Sequence, residues 1–319
     1  MNSLQDSIRP QRLGEAGIHR ENRTIETENS ILIALDGSPA SQAAARVAVQ
    51  IAGGQHLSAY GIYVADLMTL LGGNFGDYHA ELGNFWEPHS EPEAIELFER
   101  HGRMALRSLK EICLHEKVPV QTDIIFGGVP EQILSRAEHV RLVSLGRRGF
   151  RHASEPQHLG SNFRYIVHHV HRPIITAGDF ALPIHHILLA CNGNRRADDL
   201  LSWASHLQHA TGCKITALNV SENGDLPASN QLSILDHLDQ HGLIYDRLVI
   251  RTGEPADEIV AVAEEFEVQL ILMGGYQHGA LLESLLGSTI DTVLRHTPLP
   301  VFIAQRKRSR LIQPGCQPA

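Results

Sequence analysis

Long apolar runs are missing from this 319-residue chain. None approaches the ~18 residues that a membrane-crossing helix requires, so no transmembrane span is expected. Met1 to Asn29 is polar and mixed in charge, without the apolar stretch of a secretory leader. It is expected to be a flexible arm. Cysteine is scarce: Cys113, Cys191, Cys213 and Cys316 are scattered and form no CxxC pair. That spacing supplies neither a zinc knuckle nor a disulfide framework, and fits a reducing cytoplasm. Positive charge is in deficit, with a formal net charge of −9, which argues against a general nucleic-acid binder. Several nucleotide signatures are also absent. There is no Walker A lysine motif, no kinase catalytic set, and no G-x-G-x-x-G after the first apolar run, so a dinucleotide dehydrogenase is not expected. No HIGH, KMSKS or SGGxDS segment occurs either.

What remains is an ordinary globular composition, 43% hydrophobic and 20% charged, in a chain longer than one hydrophobic core usually serves. Two domains are expected, and an internal repeat gives them their outlines. Ile31 to Leu35, closed by Asp36-Gly37-Ser38, is matched by Ile187 to Cys191, closed by Asn192-Gly193-Asn194. Ala59 to Val64 is matched by Ile215 to Val220. Ile124 to Pro130 and Leu248 to Pro255 each read as a strand, a glycine and a proline suited to a helix's first turn. Leu142 to Gly146 pairs with Leu270 to Gly274, and Arg172 to Ile175 with Leu299 to Phe302. The offset between copies shrinks along the chain because the first carries extra sequence, mostly between Asp66 and Glu93. That insertion, with Phe75, Tyr78, Phe85 and Trp86, is too long for a plain connection. It is either an excursion packed on its own domain or a lid over a ligand.

Nearly continuous Ile/Val/Leu strands alternating with helical segments imply a parallel sheet covered on both faces. The fold class is therefore α/β, two doubly wound five-stranded sheets in tandem. The first domain is expected over 30–179, with the insertion near 66–93, and the second over 184–305, before a basic tail at 306–319. The linker Phe180-Ala181-Leu182-Pro183 is short, so the domains are expected to be docked. Of the 20 histidines, His168, His169 and His171 fall where a helix should end. Capping or a solvated role ranks above metal binding there, and no metal site is predicted.

In a doubly wound sheet, ligands bind beyond the carboxyl ends of the strands, where strand order reverses. The first copy brings Ala34, Leu35 and Asp36 to that edge from strand one and Val64 from strand two. After strand four it reads Gly146-Arg147-Arg148-Gly149, then Gly160-Ser161-Asn162 opening a helix. Glycines let amides approach phosphate oxygens, and a helix N-terminus offers unpaired N–H groups with a favourable dipole. Ser161 adds a hydroxyl, Arg147 or Arg148 can add positive charge, and Asp36 can accept from a ribose hydroxyl. The plainer alternatives are tight strand-to-helix turns, solvated arginines, and Asp36 as a helix N-cap.

These residues resemble the universal stress proteins, whose glycine motif G-x2-G-x9-G-(S/T) follows strand four and whose aspartate follows strand one. Gly146, Gly149, Gly160 and Ser161 match it with one extra residue in the long spacer. The resemblance implies that the motif holds phosphates and ribose, that Asp36 contacts the nucleoside, and that Val64 lines an adenine pocket. It also implies strand order 3-2-1-4-5, pairing of the domains through their last strands as an intrachain pseudo-dimer, and ATP or AMP as ligand; magnesium would accompany ATP only if phosphoryl transfer occurs.

The second copy departs from the pattern. Asn192 replaces the aspartate and Gln277 stands at the second glycine, while Val220, Gly274, Gly287, Ser288 and Thr289 remain. The second site is expected to be degenerate or adapted. Three functions follow: a cytoplasmic adenine-nucleotide sensor that changes protein partners under stress, a slow ATPase or self-phosphorylating enzyme, or a nucleotide-free adaptor. Non-enzymatic binding is favoured, with no catalytic residue assigned. Whether two chains also pair as a homodimer is left open by the sequence.

Overall fold

The computed structural model describes residues 27–66, 91–149, 154–191, 198–221, 224, 228–275 and 288–305. The insertion between 67 and 90, the N-terminal arm to residue 26 and the basic tail from 306 lie outside them. Residues Thr27–Asn29 form a 3-10 turn leading into β1 (Ser30–Ala34). The first half continues with α1 (Pro39–Gly54), β2 (Ser58–Ala65), α2 (Glu91–His115), β3 (Val120–Phe126), α3 (Val129–Ala137), β4 (Leu142–Gly146), α4 (Ser161–His169) and β5 (Ile174–Ala177). The second half repeats the order: β6 (His186–Ala190), α5 (Asp198–Thr211), β7 (Lys214–Ser221), α6 (Ala228–Gln240), β8 (Arg247–Thr252), α7 (Pro255–Glu265), β9 (Leu270–Gly274), α8 (Ser288–His296) and β10 (Val301–Ala304).

Local chemistry sets the helix starts. Ser38 caps α1, its hydroxyl accepting from the Ser41 amide at 3.2 Å, and Pro39 takes the first helical position. Proline suits that position because its missing N–H would have no intrahelical partner. Asp36, the alternative N-cap read from sequence, lies two residues too early. Pro255 likewise takes the first position of α7 and Pro130 the second of α3, both without a side-chain cap.

The strands form one ten-stranded sheet in the order β3-β2-β1-β4-β5-β10-β9-β6-β7-β8. Each half is a parallel, doubly wound 3-2-1-4-5 arrangement. The halves meet at a single antiparallel pair, β5 with β10, in which Phe302 lies opposite Ile175. Because side chains alternate across a strand, β1 divides its residues between two cores. Ile31 and Ile33 face a layer that includes α1, α2, α5 and α6, while Leu32 faces α3, α4, α7 and α8. Both cores run through both halves, so the domains share their interior as well as their sheet.

Cys113, Cys191 and Cys213 are buried and none of them is in a disulfide, and burial pushes the Cys113 thiol up to about 11. His168 and His169 occupy the last turn of α4, where the His169 ring lies 2.7 Å from the Tyr165 carbonyl. Among the described residues, no group of three or more His, Cys, Asp and Glu is arranged to hold a metal ion. No helix among them is long and apolar enough to cross a membrane.

Candidate functional site

Strand order in the first half reverses between β1 and β4, the location at which doubly wound sheets open a crevice beyond their carboxyl ends. A cavity of about 560 Å³ lies there, within the ~300–1,000 Å³ typical of small-molecule sites. Ala34, Leu35 and Asp36 line it from the end of β1, Val64 from β2, Gly146 and Gly149 from the turn after β4, and Gly160, Ser161 and Asn162 from the start of α4. Every first-copy residue selected from the sequence except Arg147 is in this lining.

The turn after β1 is pre-set. Gly37 has a φ of 86°, a left-handed conformation that glycine adopts without strain. Asp36 Oδ1 accepts from the Ser38 amide at 2.9 Å and from the Ser38 hydroxyl at 2.6 Å. Both bonds fall on Oδ1, which leaves Oδ2 for a ligand hydroxyl. Ser38 Oγ also contacts the Arg148 carbonyl at 3.3 Å, fastening the β1 turn to the β4 turn.

Two glycines of the strand-four motif have different reasons to be glycine. A Cβ on Gly146 would stand 2.5 Å from the Ser41 amide nitrogen, so the approach of α1 to β4 excludes any side chain. A Cβ on Gly160 would meet nothing nearer than the Arg147 carbonyl at 3.5 Å, an ordinary contact. Gly160 has a φ of −57°, open to any residue, and caps α4 with no side-chain hydrogen bond. The chain's own packing therefore does not demand glycine at 160. The first turn of α4 carries no acidic residue, so its amides and dipole face the cavity without a built-in counter-charge.

Arg147 does not serve this cavity. Its side chain is buried and donates to the carbonyls of Leu294 at 2.9 Å, Thr297 at 2.7 Å and Leu299, all around the end of α8 in the second half. Its Nη1 and Nη2 donors thus point across the domain boundary, whereas the sequence reading directs the side chain toward a ligand phosphate. Burial, and secondarily the charge of Arg148, lowers its pKa to about 9, which still leaves it charged at neutral pH. Arg148 does line the cavity, but its guanidinium pairs with Asp179 at 2.6 Å and donates to the Pro156 carbonyl at 3.0 Å.

The structure adds lining residues that the sequence did not reveal. Phe98 comes from α2, Val129 and Ile133 from α3, and Tyr63 and Asp66 from the end of β2. Asp66 gives the cavity a second strand-end carboxylate beside Asp36. Its position was legible as the residue after Val64 and Ala65. The helical contributors were not legible, because which face of α2 and α3 meets the crevice depends on tertiary packing.

In the second half, Val220 and Gly274 lie at the corresponding strand ends and Ser288 opens α8, followed by the half-buried Thr289. Asn192, Gln277 and Gly287 fall outside the described residues. Gly275, the counterpart of Arg147, has no room for a side chain, since a Cβ would lie 2.7 Å from the Ala304 carbonyl.

Comparisons with known proteins agree with this architecture. A universal stress protein from Mycolicibacterium smegmatis is 24% identical over 304 residues, covering 88% of this chain and 98% of that protein. One from Synechocystis is 24% identical over 162 residues, and there the match covers 50% of this chain and 56% of the relative. The crystal structure of a universal stress protein from Archaeoglobus fulgidus aligns with a TM-score of 0.66 at 20% identity, covering 88% of this chain and 99% of that one, which establishes likeness of fold. The model of the universal stress protein family matches twice, at residues 29–177 and 183–305, and the chain belongs to that family as a tandem pair of its domains.

Proposed function

We propose that the first domain binds an adenine nucleotide, ATP or AMP, in the cavity at its switch point, and that the chain works in the cytoplasm as a stress-responsive regulator whose ligand state alters its protein contacts. The observation that carries this reading is Gly160. It is a glycine that neither backbone conformation nor neighbouring atoms require, at an uncapped helix start facing a cavity. Bare amides at such a start suit a phosphate. Asp36, with Oδ1 held by Ser38, offers an acceptor to a ribose hydroxyl. Val64, Val129 and Ile133 supply an apolar wall for a base.

A second reading, slow ATP hydrolysis, is favoured by one feature: Asp66 joins Asp36 in the lining. Two carboxylates could hold a magnesium ion that accompanies the triphosphate, as metal-assisted phosphoryl transfer requires. One experiment addresses both. Protein purified from cells is heat-denatured and its supernatant resolved by ion exchange, and fresh protein is incubated with Mg-ATP and assayed for ADP. Released or bound nucleotide without ADP production supports the regulator. Steady ADP formation that Asp66→Asn abolishes supports the enzyme. Absence of both binding and turnover removes the two readings together and leaves an adaptor.

A further inference from the structure

The loop after β4 is held by the second domain on both of its described arms. On the first arm, Arg147 donates to three carbonyls around the end of α8: Leu294, Thr297 and Leu299. On the second arm, Arg295 of α8 donates from Nη1 to the Gln157 carbonyl at 3.0 Å. Arg295 is itself aimed by Asp291, one turn earlier on the same helix, at 2.6 Å. The two arms are tied to each other where the Gly160 amide donates to the Arg147 carbonyl at 2.9 Å. Gly160 is the N-cap of α4 and lines the cavity.

Among the described residues, the first of these contacts has no mirror image. The carbonyl of Val167, the first-half counterpart of Leu294, is met by Gln305 at 3.3 Å and not by an arginine. Gly275, the counterpart of Arg147, sits where no side chain fits. Charge-assisted bonds are stronger than neutral ones and a guanidinium fork fixes direction as well as distance. Among the described residues, the charge-assisted grip joins α8 to the first domain's loop.

We propose that Arg147 and Arg295 are positioning residues, and that the second domain, through α8, sets the geometry and hence the nucleotide affinity of the first domain's site. This rests on the nucleotide reading above. Neither side chain needs to touch the ligand. Arg147 fixes where the loop leaves β4, Arg295 fixes where it returns to α4, and the amides presented to the cavity follow from both. Coupling of this kind is reciprocal, so a ligand on the first domain must in turn steady the end of α8.

Arg295 is the better target, because its side chain is 33% exposed and its removal leaves no buried charge behind. Full-length wild type, Arg295→Ala and Arg295→Lys are titrated with ATP and with AMP, and amide exchange is followed at residues 158–160 and 293–297 without ligand and with saturating ATP. The expected result is wild-type melting, nucleotide binding about tenfold weaker in Arg295→Ala, and partial recovery in Arg295→Lys. Faster exchange at the Gly160 amide in Arg295→Ala, and ATP-induced protection at 293–297 in wild type, complete the expectation. Equal affinities with unchanged exchange at Gly160 overturn the positioning role while leaving the nucleotide reading intact. A wild type that binds neither ATP nor AMP overturns the nucleotide reading itself and the role assigned here falls with it.

Discussion

The side chain of Gln50 brackets the backbone of Ile184. Its carbonyl oxygen accepts from the Ile184 amide at 2.9 Å and its amide nitrogen donates to the Ile184 carbonyl at 3.2 Å. Gln50 lies on α1 of the first domain, and Ile184 follows the linker into the second. One amide group thus satisfies both polar atoms of the residue at which the second domain begins. Replacing Gln50 by Leu keeps most of the volume and strands both backbone groups, each at a cost of about 1–3 kcal/mol where water cannot reach. Gln50→Leu is expected to lower the melting temperature by several degrees and to raise proteolysis at the linker, where Phe180 and Leu182 are exposed. Cleavage no faster than in wild type would show that the bracket does not hold the linker.

The contrast between the motif glycines gives a paired test. Gly146→Ala drives a Cβ to 2.5 Å from the Ser41 nitrogen and 2.8 Å from the Ala40 carbonyl carbon. Backbone cannot yield as a flexible side chain can, so destabilisation of about 1–3 kcal/mol is expected, the usual range for overpacking. Thermal or denaturant unfolding reads it directly. A melting temperature equal to wild type would mean that α1 shifts freely away from β4.

Gly160→Ala should behave in the opposite way. The new methyl meets only ordinary contacts, and the loss of unfolded-state freedom favours folding by about 0.4–1 kcal/mol. Unchanged or slightly raised stability is expected together with nucleotide binding weakened by about tenfold or more, because the methyl occupies the approach to the α4 amides. Calorimetric titration with ATP and AMP, beside a thermal melt, measures both. Undiminished affinity would remove Gly160 from the binding surface.

Acid should loosen the fold through histidine. Burial lowers the pKa of His101 and of His186 below the ordinary 6.5. The folded state therefore favours the neutral ring, and the unfolded chain takes up protons first as pH drops. Stability from these sites is complete above 6.5 and is lost as pH falls below it toward the folded-state values. Melting temperature should be level above about pH 7 and decline toward about pH 5. His101→Gln should flatten part of that slope, and a wild-type profile without any decline would contradict the assignment.

Much of the fold was written in local chemistry. The apolar runs ending at Leu35, Val64 and Gly146 read as strands because a buried parallel strand has no polar face to show. Asp36, Gly160 and Ser161 converge because strand ends and helix starts share one edge of such a sheet. Adjacency to a glycine motif does not reveal the direction of the Arg147 side chain. Its partners, Leu294 to Leu299, are distant in sequence and belong to the other copy. Pro39 marks Ser38 rather than Asp36 as the cap, since a proline at the first helical position places the cap directly before it. The place of Val129 and Ile133 in the lining is not legible in the sequence, because amphipathic spacing says which face of a helix is apolar and not what it meets.

The antiparallel junction of β5 with β10 settles how the site responds to abundance. Had each domain found its counterpart on another chain, the arginine grip on the loop would form and break with protein concentration. With both strands on one polypeptide, the linker supplies the second domain at a high and constant effective concentration. A single molecule in a dilute cell therefore carries the same loop geometry as one among thousands. The edge strands of the sheet become β3 and β8, and the β5–β10 seam beside the cavity is already filled from within the chain.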